Sequence, residues 1–239
     1  MSRVAIVAAL EREVKPLVKH WKLSEKEHSG RRFRFFEQDD AVLVCGGIGA
    51  EAARRAAEAV IAIYAPAMVY SVGFAGALEP QMNAGEVAQP AQVIDSRDGS
   101  RVKLSVGKGT LVSVGSVATP AQKAKLRESF GAQLVDMEAA AVARAAEARG
   151  VEFAAAKAIS DEFDFDFPAM ERFVDSAGSF QRTRFVIYAA LRPWLWARVY
   201  RLAINSNLAS KALCDWLASS LSQRIASAPE RNLEATHRL

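Results

Sequence analysis

Carboxylate side chains stand directly after three short apolar runs of the sequence, where buried strands would end. They are Glu11 and Glu13, Asp136 and Glu138, and Asp161. In an open α/β sheet the carboxyl ends of the strands converge on ligand sites, because loops and helix N-termini meet there. Carboxylates are also groups that enzymes use to donate and accept protons. We therefore expect these acids to share one site.

Two glycine-rich turns follow neighbouring apolar runs and lie at the same predicted edge. They are Gly47-Ile48-Gly49 and Gly73-Phe74-Ala75-Gly76. Each feature also has a purely structural interpretation. Glu11 and Glu13 could favour a helix N-terminus, Asp136 is a common capping type, and glycines allow tight turns. The combination of acids and glycines, rather than any single motif, indicates a functional site.

The elements that would position these residues alternate between β-branched apolar runs and alanine-rich helical stretches. This alternation is typical of an α/β fold with a mostly parallel sheet and helices on its faces. The predicted strands are 4–10, 32–36, 41–45, 68–72, 86–94, 101–106, 110–114, 134–135 and 153–159, and the predicted helices are 11–21, 50–64, 121–130 and 137–149. From about Pro168 onward the sequence predicts helices, with a break at Arg192-Pro193.

The overall composition is that of a folded globular protein. Of the 239 residues, 51% are apolar and 24% are charged, which excludes collagen-like, coiled-coil and disordered classes. Two distant cysteines, Cys45 and Cys214, and the lack of a signal peptide or membrane span predict a cytoplasmic protein. The first 191 residues carry equal numbers of acidic and basic side chains, so no nucleic-acid partner is expected.

Four segments of the sequence, taken in order, carry a resemblance to a known family. They are Val4 to Val14, Gly47-Ile48-Gly49, Ser71 to Gly76, and Val135 to Ala141 followed by Ala158 to Asp161. The chain resembles the nucleoside phosphorylase and nucleosidase superfamily, most closely its bacterial 5′-methylthioadenosine/S-adenosylhomocysteine nucleosidases. The resemblance implies a three-layer phosphorylase/hydrolase-like α/β fold whose mixed, twisted central sheet is flanked by helices. It also implies a homodimer, a nucleoside substrate and no cofactor, with phosphate as co-substrate only in a phosphorylase.

The resemblance implies a role for each residue of the site. Glu13 resembles the acid that activates the attacking water, and Asp161 resembles the acid that protonates N7 of a purine leaving group. Glu138 would hold the ribose hydroxyls. The other substrate-binding positions would be Met137, Ser160, Phe74, Val117 and Ala118, and the water or phosphate loop would be Gly47, Ile48 and Gly49.

The implied reaction breaks a ribosyl C–N bond and produces an oxocarbenium-like sugar and a negatively charged purine. An acid at the base, a carboxylate near the sugar and a nucleophile on the opposite face would each lower the barrier. Protonation by Asp161 near pH 7 requires a raised pKa, so we expect this carboxyl to lie among apolar groups rather than beside an arginine. Three neighbours could supply that environment: Phe163, Phe165 and Phe167.

Three departures from the family pattern concern the substrate. Phe74 stands where the nucleosidases usually have a small residue, and Val117 stands where an aromatic residue stacks on adenine. The stretch between Val93 and Leu111 is short, which removes part of a wall over the ligand. The base and the 5′ substituent therefore stay open, with methylthioadenosine and a lipid-linked adenosine among the candidates. No arginine adjoins Gly47-Ile48-Gly49, which favours hydrolysis, while a phosphate-dependent phosphorylase stays an alternative.

We expect two parts in the chain: a catalytic domain over 1–191 and an amphipathic, basic helical extension over 192–239. The extension carries seven basic and three acidic residues, a balance equal to the net charge of +4. Its apolar stripe would dock on the body or on a partner subunit, and it consists of Leu213, Leu217, Leu221 and Ile225. Trp, Tyr and Arg in the same segment also suit the inner membrane surface. In this respect the chain resembles the hopanoid-associated phosphorylase-like branch of the superfamily, which acts on a lipid-linked nucleoside.

A non-catalytic nucleoside-binding or regulatory protein on the same fold is the alternative to an enzyme. The presence of Glu13, Glu138 and Asp161 favours an enzyme, because binding alone would not require a buried acid. No metal site is predicted, since the three histidines have no ligand spacing with Cys45 or Cys214. Cys45 has no histidine near it in the sequence and is not expected to be a nucleophile.

Overall fold

A mixed sheet flanked by helices forms the body of the protein. The computed structural model describes residues 3–166, 170–173, 178, 180–181, 184–185, 188–189 and 191–227, and its sheet has 11 strands. The strands are β1 (Val4–Ala8), β2 (Lys22–His28), β3 (Arg31–Gln38), β4 (Ala41–Cys45), β5 (Met68–Ala77), β6 (Val87–Ala88), β7 (Gln92–Asp95), β8 (Arg101–Lys103), β9 (Thr110–Ser113), β10 (Leu134–Asp136) and β11 (Glu152–Asp161). The helices are α1 (Glu11–Val18), α2 (Ala50–Tyr64), α3 (Pro120–Phe130), α4 (Ala139–Glu147) and α5 (Trp196–Ser227). The predicted α/β class is confirmed.

β5 occupies the centre of the sheet and pairs with three strands. It runs parallel to β1 and β11 and antiparallel to β10. Nine of its ten residues are buried, as expected of a strand covered on both faces by other elements. The sequence predicts a strand only over 68–72, because Gly73 and Gly76 are typical of turns. The structure instead continues the strand through both glycines to Ala77.

The edge of the sheet differs from the prediction. A helix is predicted over 11–21, but α1 ends at Val18 and β2 begins at Lys22. β2 is rich in charged residues and mostly exposed, so its sequence carries no apolar signal. It pairs antiparallel with β3, which forms the predicted hairpin with β4.

Helix starts follow the local sequence. Thr119 caps α3 by accepting the N–H of Gln122 at 3.4 Å, and Pro120 occupies the first turn, as predicted. Asp136 accepts the N–H of Ala139 at 2.9 Å and so satisfies a first-turn donor of α4, although the N-cap position is Glu138. α4 begins two residues later than predicted, because Glu138 has a non-helical backbone with φ −129°.

The C-terminal helix α5 packs against α1 and the central strands β5 and β11. Leu213 and Leu217 are buried in the apolar cluster that contains β1 and β5 side chains, and Leu221 packs against the same cluster. Ser210 donates its hydroxyl to the backbone carbonyl oxygens of Arg12 (3.2 Å) and Glu13 (3.1 Å). α5 therefore supports the first turn of α1. The predicted stripe also includes Ile225, whose side chain lies outside the described part.

The segment between β11 and α5 is described only in parts. The predicted helical stretch from Pro168 falls largely outside the described residues, which include 3₁₀ turns at Met170–Phe173 and Pro193–Leu195. Its apolar side chains form a cluster of their own, consisting of Phe165, Phe173, Phe185 and Leu195. None of the helices in the described residues combines the length and apolar character needed to cross a lipid bilayer.

Candidate active site

Glu13 projects from the first turn of α1, directly after β1, and is buried. Its Oε2 accepts the backbone N–H of Leu10 at 3.3 Å. Gly73 of β5 makes room for this carboxylate, because a Cβ there would lie 2.8 Å from Oε2 and the φ of +142° suits glycine. Burial raises the pKa of Glu13 above its ordinary value. A raised pKa makes the ionised carboxylate a stronger proton acceptor.

Glu138 lies at the start of α4 and is held by backbone donors. Its Oε1 accepts the N–H of Gly49 at 2.7 Å, and its Oε2 accepts the N–H of Met137 at 3.2 Å. Burial, followed by repulsion from Asp136, raises the pKa of Glu138 to about 7. The charge of Glu13 raises the pKa further. The two glutamates therefore belong to one electrostatic environment.

A buried lysine of β11 provides the positive charge of this group. Lys157 Nζ lies 2.8 Å from Asp136 Oδ2 and forms an ion pair with it. The angle of this contact does not suit a hydrogen bond, and the ammonium has no other acceptor among the described residues. Burial acts to lower the pKa of Lys157, but attraction by Asp136 and Glu138 outweighs it and raises the pKa. Glu13 also attracts this ammonium. We call Glu13, Asp136, Glu138 and Lys157 the glutamate centre.

Lys157 is absent from the sequence-based site, although the sequence carries a signal for it. The side chain is a lone charge inside the apolar run Phe153 to Ile159. A lysine is almost never fully buried unless it is paired with a carboxylate. A charge at the middle of a buried strand therefore predicts an acidic partner nearby, here Asp136.

Asp161 ends β11, where the pairing with β5 shifts register between Ile159 and Asp161. Such a bulge redirects side chains at the end of a strand. Ser160 donates its hydroxyl to Asp161 Oδ1 at 2.9 Å. Gly76 of β5 lies beside the other oxygen, because a Cβ there would lie 2.7 Å from Asp161 Oδ2. The carboxylate thus rests against the backbone of the central strand.

The environment of Asp161 differs from the expected apolar one. Lys123 of α3 places its Nζ 2.5 Å from Asp161 Oδ2 and donates to the carbonyl oxygen of Glu162 at 2.6 Å. Its side chain is 1% exposed, whereas that of Asp161 is 23% exposed. The expectation that Asp161 has no cationic partner is therefore wrong. We call Lys123 and Asp161 the aspartate centre.

The three phenylalanines do not supply the expected apolar environment. Phe165 packs in the cluster of Phe173 and Leu195, Phe163 is half-buried, and Phe167 lies outside the described residues. Lys123 is the one buried residue of α3, which is a polar helix. The helix has no apolar stripe that would mark the side of Lys123 as the inward one. Sequence reasoning therefore had no signal for this contact.

The glutamate centre and the aspartate centre both contact the central strand β5. Gly73 faces Glu13 and Gly76 faces Asp161. Three residues of extended strand span about 10 Å, which is comparable to the length of a nucleoside. β5 therefore contacts one carboxylate of each centre, at two positions about 10 Å apart along the strand.

The other predicted binding residues are less closely associated with these acids. Phe74 is half-buried and packs against the cluster that joins β1 and α5. Val117 is 39% exposed in the loop before α3. Ala118 packs against a separate apolar cluster and lines a shallow depression beside α3 with Lys125 and Leu126.

The glycine loop before α2 uses its backbone donors within the protein. The N–H of Gly47 donates to Ala9 O at 2.9 Å, and that of Ile48 donates to Gly178 O at 2.7 Å. The N–H of Gly49 donates to Glu138. All three donors that could have faced water or phosphate therefore have protein acceptors.

Comparison with known proteins supports the same class of enzyme. The sequence profile of the phosphorylase superfamily matches residues 3–108 and 96–185. An aminodeoxyfutalosine nucleosidase from Campylobacter jejuni is 27% identical over 208 residues, covering 70% of this chain and 91% of that protein.

Solved structures share the fold. The futalosine hydrolase of Helicobacter pylori has a TM-score of 0.68 at 15% identity, with 93% of this chain and 98% of that chain covered. The 5′-methylthioadenosine/S-adenosylhomocysteine nucleosidase of Neisseria meningitidis, in complex with methylthio-immucillin-A, has a TM-score of 0.69 at 17% identity, with 93% of this chain and 100% of that chain covered. The chain belongs to the phosphorylase superfamily and is an enzyme of its nucleosidase and nucleoside phosphorylase class, as its sequence predicts.

Proposed function

We propose that this protein hydrolyses the N-glycosidic bond of a purine nucleoside. In this proposal Glu13 activates water, Glu138 binds the ribose hydroxyls and Asp161 faces N7 of the base. The observation that carries the proposal is the glutamate centre together with a second acid, Asp161, which contacts the same central strand. Pure binding would not explain a buried Glu13 and a half-buried Glu138 that both have raised pKa values.

The chemistry of the sugar side follows from the glutamate centre. Burial raises the pKa of Glu13, so its ionised form accepts a proton from water more readily. Glu138 uses one lone pair on each oxygen for a backbone N–H, which leaves acceptor sites for ribose hydroxyls. The negative charges of this centre also favour a sugar that becomes positive in the transition state.

Hydrolysis is favoured over phosphorolysis by the state of the glycine loop. A phosphate site needs free N–H donors or cationic side chains. The N–H groups of Gly47, Ile48 and Gly49 are bonded to protein acceptors. Arg54 and Arg55 are engaged by Glu51 on the same helix. We therefore infer water as the nucleophile, a reaction that needs no cofactor.

We infer a 5′-substituted adenosine as the substrate. The inference is motivated by the relatives, which are named as aminodeoxyfutalosine and 5′-methylthioadenosine/S-adenosylhomocysteine nucleosidases. Methylthioadenosine and a lipid-linked adenosine are the two candidates. Phe74, Val117 and Ala118 would contact the nucleoside on the base side.

The test is release of free base from a panel of nucleosides, with and without phosphate. We expect base release that does not depend on phosphate and that falls about 10²–10⁴-fold in Glu13→Gln and in Asp161→Asn. Glu11→Gln is the matched control, because Glu11 forms only an exposed ion pair with Arg34. A rate that rises with phosphate, with ribose 1-phosphate as product, would refute hydrolysis.

We further propose that an aromatic face of the C-terminal segment contacts an anionic membrane surface. Four exposed residues at four-residue spacing form this face on α5: Trp196, Tyr200, Ile204 and Leu208, which are 58%, 70%, 41% and 50% exposed. Trp194 extends it at 72% exposure. Aromatic residues with neighbouring arginines suit the headgroup region of a bilayer. Cys45 and Cys214 are free, and a cytoplasmic location stays our prediction.

Vesicle binding of the full-length protein tests this surface. Removal of α5 would not be informative, because Leu213 and Leu217 belong to the core. We expect binding to phosphatidylglycerol vesicles that is lost in Trp194→Ser/Tyr200→Ser and kept in the control Leu23→Ser, an exposed apolar residue of β2. The predicted homodimer is the alternative occupant. The membrane contact would be refuted if the unsubstituted protein did not bind vesicles and if the double variant lost a dimer that the unsubstituted protein forms.

A further inference from the structure

The aspartate centre contains a buried cation that the proposed function does not use. Lys123 Nζ contacts Asp161 Oδ2 at 2.5 Å and the carbonyl oxygen of Glu162 at 2.6 Å. Its Cε lies 3.2 Å from the position that a Cβ at Gly76 would occupy, and a Val135 methyl lies 3.1 Å from it. The ammonium is therefore fixed between α3, the end of β11 and the central strand.

This contact changes how a proton can reach the leaving group. A carboxylate that is paired with an ammonium carries a negative charge and has no proton to donate. The ammonium, in contrast, carries protons and hydrogen-bonds directly to the carboxylate. A proton can thus pass along this hydrogen bond when negative charge develops on the base.

We propose that Lys123 is a positioning residue that supplies, through Asp161, the proton taken up by the departing purine. The inference rests on the proposed function, because it concerns the acid of that reaction. Lys123 both fixes the orientation of the carboxylate and stores the proton in the resting enzyme. Asp161 then acts as the relay that touches the base.

The proposed step is balanced in atoms and charge. The C–N bond breaks and its electron pair moves onto the purine. Asp161 transfers a proton to N7 and receives one from the Lys123 ammonium, so the lysine becomes a neutral amine. Water adds to the sugar carbon and loses its proton to Glu13. After the products leave, Lys123 regains a proton and Glu13 releases one.

The other charged groups beside this pair are engaged with each other. Glu162, the next residue after Asp161, is paired with Arg201 of α5. Glu79, which follows β5, is paired at 2.9 Å with Arg127. Arg127 lies one turn along α3 from Lys123. Among the described ion pairs, Lys123 and Asp161 therefore have only each other as partners.

The experiment compares two leaving groups in Lys123→Met. A purine needs protonation to depart, whereas 4-nitrophenolate departs from a 4-nitrophenyl riboside without it. We expect kcat for the purine nucleoside to fall about 10²–10⁴-fold with a nearly unchanged KM, and the rate with the nitrophenyl riboside to change less than about threefold. Lys211→Met, an exposed lysine of α5 paired with Asp215, is the matched control and should leave both rates unchanged.

The pH dependence of kcat gives a second readout that a structural role would not change. Without the ammonium, the carboxylate must take its proton from solvent, which supplies fewer protons as the pH rises. The alkaline limit of purine cleavage should therefore move to lower pH in Lys123→Met. Lys123→Arg should not restore the rate, because arginine keeps its charge but does not release a proton.

Several outcomes would overturn the inference. They are an equal loss with both leaving groups, an unchanged alkaline limit, or full activity in Lys123→Arg. Thermal unfolding would verify that each variant folds, and Lys123→Gln replaces Lys123→Met if the latter does not. A wild-type protein that releases no base from any nucleoside would instead refute the proposed function, so the two failures are distinguishable.

Discussion

The glutamate centre and the aspartate centre have the same components in different proportions. Each has a buried lysine, and each has a carboxylate against a glycine of β5: Gly73 beside Glu13 and Gly76 beside Asp161. In the glutamate centre, however, one lysine faces three carboxylates. In the aspartate centre, one lysine faces one carboxylate.

This difference in charge decides what each centre can do. Three carboxylates around one ammonium leave excess negative charge in the glutamate centre. Burial raises the pKa values of Glu13 and Glu138, and repulsion from Asp136 and Glu13 raises that of Glu138 further. Such a centre is suited to accept a proton and to stabilise a positive sugar. A one-to-one pair is balanced in charge and is suited to return a proton to the base.

Removal of the lysine from the glutamate centre should have the largest effect on stability. Lys157→Met leaves the buried Glu13 and Asp136 and the half-buried Glu138 without a cation. We expect a loss of about 3–5 kcal/mol in the free energy of unfolding. Urea denaturation measures it. Lys211→Met is the control, since Lys211 forms an exposed pair with Asp215 and its loss should not be measurable. Equal denaturation midpoints for wild type and Lys157→Met would contradict the charge assignment.

The raised pKa of Glu138 predicts a pH-dependent stability. The group is protonated up to about pH 7 in the folded state, but only up to about pH 4.5 in the unfolded chain, where the carboxyl has its ordinary pKa. The folded protein therefore binds more protons between these values, and its stability falls as the pH rises through this window. The shift corresponds to at most about 3 kcal/mol.

Glu138→Gln should remove this contribution. We expect the variant to gain stability relative to wild type as the pH rises from 5 to 8, measured by denaturant unfolding at each pH. Glu11→Gln, at an exposed position, should follow the wild-type curve. A constant difference between Glu138→Gln and wild type across this range would show that Glu138 is not perturbed.

The contact between β5 and Glu13 predicts a smaller effect on catalysis. In Gly73→Ala the new Cβ would lie 2.8 Å from Glu13 Oε2, so the carboxylate must move. We expect the activation free energy to rise by about 1–3 kcal/mol and kcat to fall accordingly. Gly99→Ala is the control, because its φ of +72° is also left-handed but nothing lies within 4 Å of the new Cβ. Equal kcat values for the two variants would mean that the close approach at Gly73 is irrelevant.

Much of the fold is predictable from the sequence, and the exceptions have physical reasons. β1, α2 and the β3–β4 hairpin follow apolar runs or alanine-rich periodicity, so local pattern and structure agree. β2 is missed because an exposed edge strand needs no apolar face. The extension of β5 is missed because Gly73 and Gly76 serve there to admit carboxylates rather than to form a turn.

The acids of the site are predictable, but the lysines are not predicted. Glu13, Glu138 and Asp161 follow buried strands, and strand ends converge by topology alone. Lys157 could have been recognised as a lone charge in an apolar strand. Lys123 could not, because its partner lies 38 positions away and α3 has no pattern that distinguishes its inward side.

The central claim is that both centres act on one nucleoside. A crystal structure of Asp161→Asn with an intact 5′-substituted adenosine tests it most directly. We predict ribose hydroxyls within hydrogen-bond distance of Glu138, a water between Glu13 and the anomeric carbon, and N7 beside residue 161. A nucleoside bound away from Glu138 and from residue 161 would contradict the account.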